Sequence, residues 1–100
     1  MNNLPGHPRF HELLDEIREI HNKKNSNYSS KADSLSNFKQ CEKFGVSAFK
    51  GALTRMSDKW ERICILANGT PDNVGESITD TLKDLAVYSL LAIILYEEQK

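Results

Sequence analysis

Three acidic residues recur at a regular spacing in the C-terminal third of the chain. Glu76, Asp80 and Asp84 are four residues apart, so on a helix they would lie along one face, about one turn from each other. Carboxylates in this arrangement repel one another unless a divalent cation or a basic side chain lies between them. A helix N-terminus would favour Glu76 and, less strongly, Asp80 through the helix dipole, but it does little for Asp84, about two turns along. The spacing therefore predicts a cation site or an ion-pair site at Asp80 and Asp84.

The segment before these acids carries basic side chains on one flank. Arg55, Lys59 and Arg62 lie on the same side of a helical projection, and Asp58 and Glu61 lie nearly opposite its apolar stripe. Such a face can be a solvated surface with weak helical ion pairs. It can also supply the cations that the next helix requires, and the sequence leaves both interpretations open.

His21 and Lys24 interrupt an apolar stripe near the N-terminal end. Both follow Phe10 and Ile17 on one side of the first predicted helix, whose acids, Glu16 among them, fall on a solvated opposite side. Polar groups on a core-facing stripe need partners, because an unpaired buried charge is costly. The alternative is that the helix has left the core here, so that Lys24 extends to solvent and His21 caps the helix end.

Apolar periodicity predicts an all-α fold of four helices, three long and one short. The predicted segments are roughly 9–24, 37–44, 47–68, and a last helix that begins near 72–76 and ends near 98. Gly45 suits a left-handed residue after the short helix, and Ser47 suits the N-cap of the next. In that third helix we expect a buried stripe at Phe49, Leu53, Met56, Trp60, Ile63 and Ala67.

The domain organisation follows from these segments. Residues 1–8, which contain two prolines and a glycine, predict an irregular lead-in, and residues 9–98 predict one helical domain. A chain of 100 residues has little core to spare. The last helix has one apolar face that includes Ile78, Ile93 and Tyr96, and a second at Val87, Leu91 and Ile94. Because so short a chain can hardly bury both faces, we expect an obligate homo-oligomer.

The composition narrows the classes of function. Net charge is −1, which excludes a binder of bulk polyanions, and no direct binding of nucleic acid is expected. Two cysteines are too few for a disulfide scaffold. Residues 1–8 lack the apolar core of a signal peptide, so none is expected, and the longest apolar run, residues 90–95, is far short of the ~20 residues that span a bilayer. We expect a cytoplasmic protein without a membrane partner.

Several stretches resemble a known family. Residues 21–28, Asn37-Phe38, residues 55–62 and residues 76–88 are similar to small phage and bacterial nucleotide modification associated domains. Those domains in turn resemble the all-α, MazG-like nucleoside triphosphate pyrophosphohydrolases. The more specific parts read Asp-Lys-Trp-Glu-Arg from Asp58 and Glu-Ser-Ile-Thr-Asp-Thr-Leu-Lys-Asp-Leu-Ala-Val-Tyr from Glu76. The resemblance spans about residues 9–97 and implies a four-helix MazG-like bundle, phage-encoded and located in the host cytoplasm.

The resemblance implies a metal site and a reaction. On the MazG-like pattern of two acidic pairs, Mg²⁺ would be held by Asp58 with Glu61 and by Glu76 with Asp80, although the second pair is spaced by four residues rather than three. The expected reaction is hydrolysis of a (deoxy)nucleoside triphosphate to the monophosphate and pyrophosphate. The residues expected to serve it are His21 as the general base, and Lys24, Lys59 and Arg62 as cations for the phosphates.

Two other functions stay open at this stage. A non-catalytic sponge could sequester a cyclic nucleotide signal of bacterial anti-phage immunity. It would use Lys24, Lys59 and Arg62 on the phosphates and Tyr28 and Tyr88 for stacking, while Asp80 and Asp84 would orient the basic side chains or accept hydrogen bonds from the ligand. A helical adaptor that binds another protein is the third possibility, and only the family resemblance ranks it lower.

Overall fold

Every element that the structure describes is a helix. The computed structural model describes residues 5–28, 35–69 and 77–99, with only the backbone for residues 25–28. Helix α1 is Pro8–Tyr28, α2 is Ser36–Lys39, α3 is Ala48–Ala67 and α4 is Ile78–Glu98, and a 3-10 turn, Gln40–Phe44, continues α2. No strand occurs within these ranges. The prediction of an all-α fold with three long helices and one short helix is therefore confirmed.

Local capping chemistry accounts for three of the helix boundaries. The Ser47 hydroxyl accepts a hydrogen bond from the Lys50 backbone N–H at the start of α3, which is the role predicted for it. Gly45 has a φ of 82° and ends the 3-10 turn, because a left-handed residue at this position favours glycine. Ser77 caps α4 in the same way as Ser47 caps α3, so α4 begins at Ile78, later than the predicted start.

The N-terminal helix is longer than predicted at both ends. Pro8, assigned by sequence to the irregular lead-in, is the first residue of α1, a position where its missing N–H costs no hydrogen bond and its fixed φ suits the helix. The helix then continues to Tyr28, about one turn beyond the predicted end. None of the helices in the described ranges is both long and apolar enough to cross a membrane.

Helices α3 and α4 form an antiparallel pair around which the other elements are arranged. Phe49 near the start of α3 contacts Tyr96 near the end of α4, and Lys59 contacts Asp84 midway. Helix α2 packs against α3, and α1 packs against α4. The main core lies between α2, α3 and the end of α4, and its buried residues are Leu35, Phe38, Ala48, Ala52, Ala92 and Leu95.

The predicted buried stripe of α3 is wrong in part. The buried residues are Ala48, Ala52 and Ile63, whereas Leu53 is 42% exposed and Trp60 is 58% exposed. The buried flank is rotated toward Lys59, which is half-buried. Because alanine side chains are short, they allow α3 to approach its neighbours closely, and the larger apolar side chains are left on the outer flank.

Candidate functional site

The Asp84 carboxylate joins three helices. Its Oδ1 lies 3.4 Å from Nζ of Lys24 on α1, and its Oδ2 lies 3.2 Å from Nζ of Lys59 on α3. Sixty residues separate Lys24 from Asp84 along the chain. The fold therefore brings together three residues that the sequence predicts for one site.

The electrostatics of this trio leave it cationic. Each carboxylate oxygen of Asp84 is within ion-pair distance of one ammonium group, so two positive charges face one negative charge. The side chains of Asp84 and Lys59 are only 21% and 25% exposed, whereas that of Lys24 is 43% exposed. Partial burial lowers the effective dielectric constant and strengthens such pairs over exposed ones. The surplus positive charge is therefore carried by a group that solvent and a ligand can reach.

An aromatic ring lies beside the lysines. Tyr88 follows Asp84 by one turn of α4, and Nζ of Lys24 lies 5.6 Å from the centroid of its ring, within the range of a cation–π contact. The same ring meets Phe38 of α2 edge to face, with centroids 5.7 Å apart. Phe38 is buried, so it fixes the tilt of the Tyr88 ring beside Lys24.

Two further residues extend this group of side chains. The guanidinium carbon of Arg55 lies 5.2 Å from the ring centroid of Phe38, so cations and rings alternate across the surface between α2 and α4. Neither Arg55 nor Phe38 was predicted as a ligand-binding residue, although Arg55 shares the basic flank of α3 with Lys59. We refer to the six residues Lys24, Phe38, Arg55, Lys59, Asp84 and Tyr88 as the Asp84 cluster.

A second ion-pair network holds α1 against α4 next to this cluster. Glu16 lies 2.7 Å from Lys83 of α4 and 2.6 Å from Arg9. Hydrogen bonds from Lys83 and then from Arg9 hold the pKa of Glu16 below its usual value, because both stabilise the charged carboxylate. The prediction that Glu16 faces solvent is therefore right only in part: α1 turns this acid toward Lys83 of α4, while 37% of its side chain stays exposed.

The acids predicted to hold Mg²⁺ occupy separate places. Asp58 and Glu61 are exposed on α3, and Asp80 is exposed in the first turn of α4, while Glu76 lies outside the described residues. In the part of the chain that the structure describes, no three His, Cys, Asp or Glu side chains are close enough to hold a metal ion. Carboxylate oxygens suit Mg²⁺, but these three do not form a cage, so the magnesium site stays a prediction.

The other predicted catalytic and ligand-binding residues lie within four residues of Lys24 or Lys59 along the chain. His21 is half-buried three residues before Lys24, and Arg62 is half-buried three residues after Lys59. Such spacings put each on the same side of its helix as the lysine. Tyr28 is the last residue of α1, and its side chain lies outside the described part of the structure. The roles of these three residues stay predictions.

Comparisons with known proteins add nothing to this geometry. No protein family model, no curated protein and no solved structure matches this chain.

Proposed function

We propose that this chain binds a nucleotide and that the Asp84 cluster holds it. The observation that carries the proposal is the convergence of Lys24 and Lys59 on Asp84 beside the ring of Tyr88. Two ammonium groups around one carboxylate leave positive charge for a phosphate. An adjacent aromatic ring offers a face for a base, so the cluster has a cationic part and a stacking part within a few ångströms.

The reaction that we propose is that of the family the chain resembles, the MazG-like pyrophosphohydrolases. Water attacks a phosphorus atom of a (deoxy)nucleoside triphosphate, the phosphoanhydride bond breaks, and pyrophosphate leaves. In this proposal His21 takes the proton of the water, and Lys24, Lys59 and Arg62 neutralise the phosphate oxygens. Mg²⁺ would supply further charge for the phosphates, with Asp58, Glu61, Glu76 and Asp80 as its proposed ligands.

The second candidate is a sponge that binds a cyclic nucleotide without chemistry. One observation favours it specifically: both oxygens of Asp84 are engaged by lysines, which is what an acid that orients basic side chains would do. Such a site needs fixed cations and rings rather than a cage of acids. The two candidates share the binding step and differ only in whether bond cleavage follows.

Two measurements on the purified chain separate these candidates. A panel of nucleoside and deoxynucleoside triphosphates, incubated with Mg²⁺ or Mn²⁺, is assayed for pyrophosphate release, and a panel of cyclic nucleotides is tested by thermal shift and calorimetry. Metal-dependent pyrophosphate release establishes the hydrolase. No turnover, together with tight binding of a cyclic nucleotide, establishes the sponge. If neither panel gives binding or turnover, the proposed function is wrong.

Matched variants test whether the Asp84 cluster is the site. Lys59→Ala should abolish binding or turnover, whereas Lys50→Ala should not, because Lys50 is exposed nine residues earlier on α3, on the opposite side of the helix. Asp80→Asn should remove metal-dependent turnover with little change in folding, since Asp80 is exposed. If Lys59→Ala and Lys50→Ala behave alike, the site has been assigned to the wrong residues.

We also propose that the chain is a homo-oligomer. The support is its incomplete burial: among the described residues, large apolar side chains such as Phe10, Trp60, Leu90 and Ile93 are each more than half exposed. A single copy of the chain leaves these side chains in water, and association is the usual way to bury them.

A further inference from the structure

One side of the α3–α4 pair carries an apolar face. On α3, Phe49, Leu53 and Trp60 recur four and seven residues apart and so share a flank. On α4, Leu82, Ile93 and Tyr96 lie eleven and three residues apart and also share a flank. The rings of Phe49 and Tyr96 touch, with centroids 5.2 Å apart, so the two flanks meet at this end of the pair. We call these six residues the outer face.

The outer face is left uncovered by the other helices in the described ranges. Leu53, Trp60, Leu82, Ile93 and Tyr96 are between 42% and 58% exposed. Helix α1 reaches α4 through Lys83 and Asp84, which point away from this flank, and α2 packs on the buried side of α3. The described helices thus cover one side of the α3–α4 pair and not the other.

The core that the described residues form without this face is small. In the described ranges the buried apolar residues number eight, and three of them are alanines: Leu35, Phe38, Ala48, Ala52, Ile63, Val87, Ala92 and Leu95. A domain of this length is of marginal stability even when it is well packed. Burial of the outer face would add several large, half-exposed side chains to the apolar surface that the fold removes from water.

We propose that the outer face is covered by the same face of a second copy of this chain. Exposed fractions of about one half on Trp, Tyr, Ile and Leu side chains amount to on the order of 500 Å² of apolar surface. A stable interface takes about 800 Å² from each partner, with a polar rim around an apolar centre. The outer face therefore supplies a sufficient apolar centre for a dimer.

Charge and helix length both suit a second copy of the chain. A two-fold contact brings a surface against itself, so any charge in it would meet its own sign, and all six residues of the outer face are uncharged. Helices α3 and α4 have 20 and 21 residues, about 30 Å each, so two pairs can stack along their whole length. This inference rests on the proposed homo-oligomer and assigns the surface through which it forms. The Asp84 cluster lies on another side of α4 and stays open in each copy.

The test is the molar mass of the chain over a concentration series, measured by sedimentation equilibrium. Trp60 is the single tryptophan, so its fluorescence reports on the outer face directly. We expect twice the 11.4 kDa chain mass and an emission maximum that moves to longer wavelength as dilution halves the mass. A monomer at every concentration overturns the proposal, and so does a mass that falls on dilution while the Trp60 emission stays constant.

A matched pair of variants then locates the interface. Ile93→Glu puts a charge in the outer face and should shift dimer dissociation to at least tenfold higher concentration. Ile65→Glu, at an exposed isoleucine on another flank of α3, should leave dissociation unchanged. Equal effects of the two variants would show that the wrong surface was chosen. Because neither residue belongs to the Asp84 cluster, nucleotide binding can fail while the dimer persists, and the reverse.

Discussion

Lys59 of α3 and Asp84 of α4 form an ion pair of 3.2 Å in which neither side chain is more than 25% exposed. The pair lies on the flank of α3 that carries the buried Ala52 and Ile63. A lysine on a packed flank needs a counter-ion, because an unpaired buried charge is costly. Since the other oxygen of Asp84 contacts Lys24, one carboxylate supports two lysines from two other helices.

We expect Asp84→Asn to weaken both folding and nucleotide binding. The amide keeps the shape of the side chain but removes the charge that holds Lys24 and Lys59, which then repel each other. The loss of one partner from a partly buried ion pair should lower the free energy of unfolding by about 1–3 kcal/mol. Urea denaturation at neutral pH measures this loss.

Asp15→Asn is the control for this change. Asp15 pairs with Arg18 one turn along α1, and their side chains are 75% and 69% exposed. Exposed helical pairs of this kind contribute at most about 0.5 kcal/mol. Equal losses in the two variants would mean that Asp84 is an ordinary surface acid.

Local sequence chemistry predicted the caps at Gly45 and Ser47 better than it predicted the packing or the ends of α1. Ser47 and Gly45 act through their nearest neighbours, so their roles could be inferred from residue type alone. The buried flank of α3 could not, because hydrophobicity favours Trp60 while close packing favours Ala52. That choice depends on which elements pack against α3, and no local pattern encodes it.

In the candidate site, too, local sequence patterns predicted the residues but not the packing that brings them together. Lys24, Lys59 and Asp84 were each singled out because a charge interrupts an apolar pattern or repeats at helical spacing. Their meeting depends on how α1 and α3 pack on α4, which lies beyond the reach of periodicity. Phe38 was missed as part of the site because a lone aromatic residue on a short helix is usually only a core residue.

We expect the ring of Tyr88, rather than its hydroxyl, to contribute to stability and to nucleotide binding. Tyr88→Leu loses the edge-to-face contact with Phe38 and the contact with Lys24, together about 1–2 kcal/mol of stability. It should also weaken nucleotide binding at least tenfold if a base stacks on the ring. Tyr88→Phe keeps both contacts and should stay near wild type in urea denaturation and in calorimetry. A Phe variant as impaired as the Leu variant would assign the role to the hydroxyl.

Gly51 of α3 is constrained by Cys41. An added Cβ would lie 2.7 Å from Sγ of Cys41, a thiol that is placed to donate to the Phe38 and Ser47 carbonyl oxygens at 3.2 and 3.5 Å. Elsewhere in a helix, a change from Gly to Ala gains about 1 kcal/mol. Here we expect the clash to cancel that gain, so that Gly51→Ala fails to stabilise the chain.

The Cys41→Ala background should restore the gain, because it removes the sulfur that the new methyl group meets. We expect Gly51→Ala to be more favourable by about 1 kcal/mol in this background than in the wild type, measured as a double-mutant cycle. Additive effects of the two substitutions would show that the sulfur of Cys41 does not prevent a larger side chain at residue 51 from stabilising the chain.

Glu16 predicts a pH dependence of stability. Lys83 and then Arg9 hold its pKa below the ordinary value of 4.5 in the folded chain, so the folded state binds fewer protons than the unfolded state in this range. The group therefore stabilises the fold above about pH 4.5, and this contribution is lost as the pH falls through the lowered folded pKa. We expect Glu16→Gln to be less stable than the wild type at neutral pH and the difference to shrink on acidification.

Urea denaturation of both proteins between pH 7 and pH 3 measures that difference directly. Glu19→Gln is the matched control, because Glu19 is exposed on the same helix and lies 3.9 Å from Lys23, which is also exposed. It should change stability little, because exposed helical pairs of this kind contribute little. A Glu16→Gln difference that stays constant down to pH 3 would show that the network with Lys83 and Arg9 does not stabilise the packing of α1 on α4.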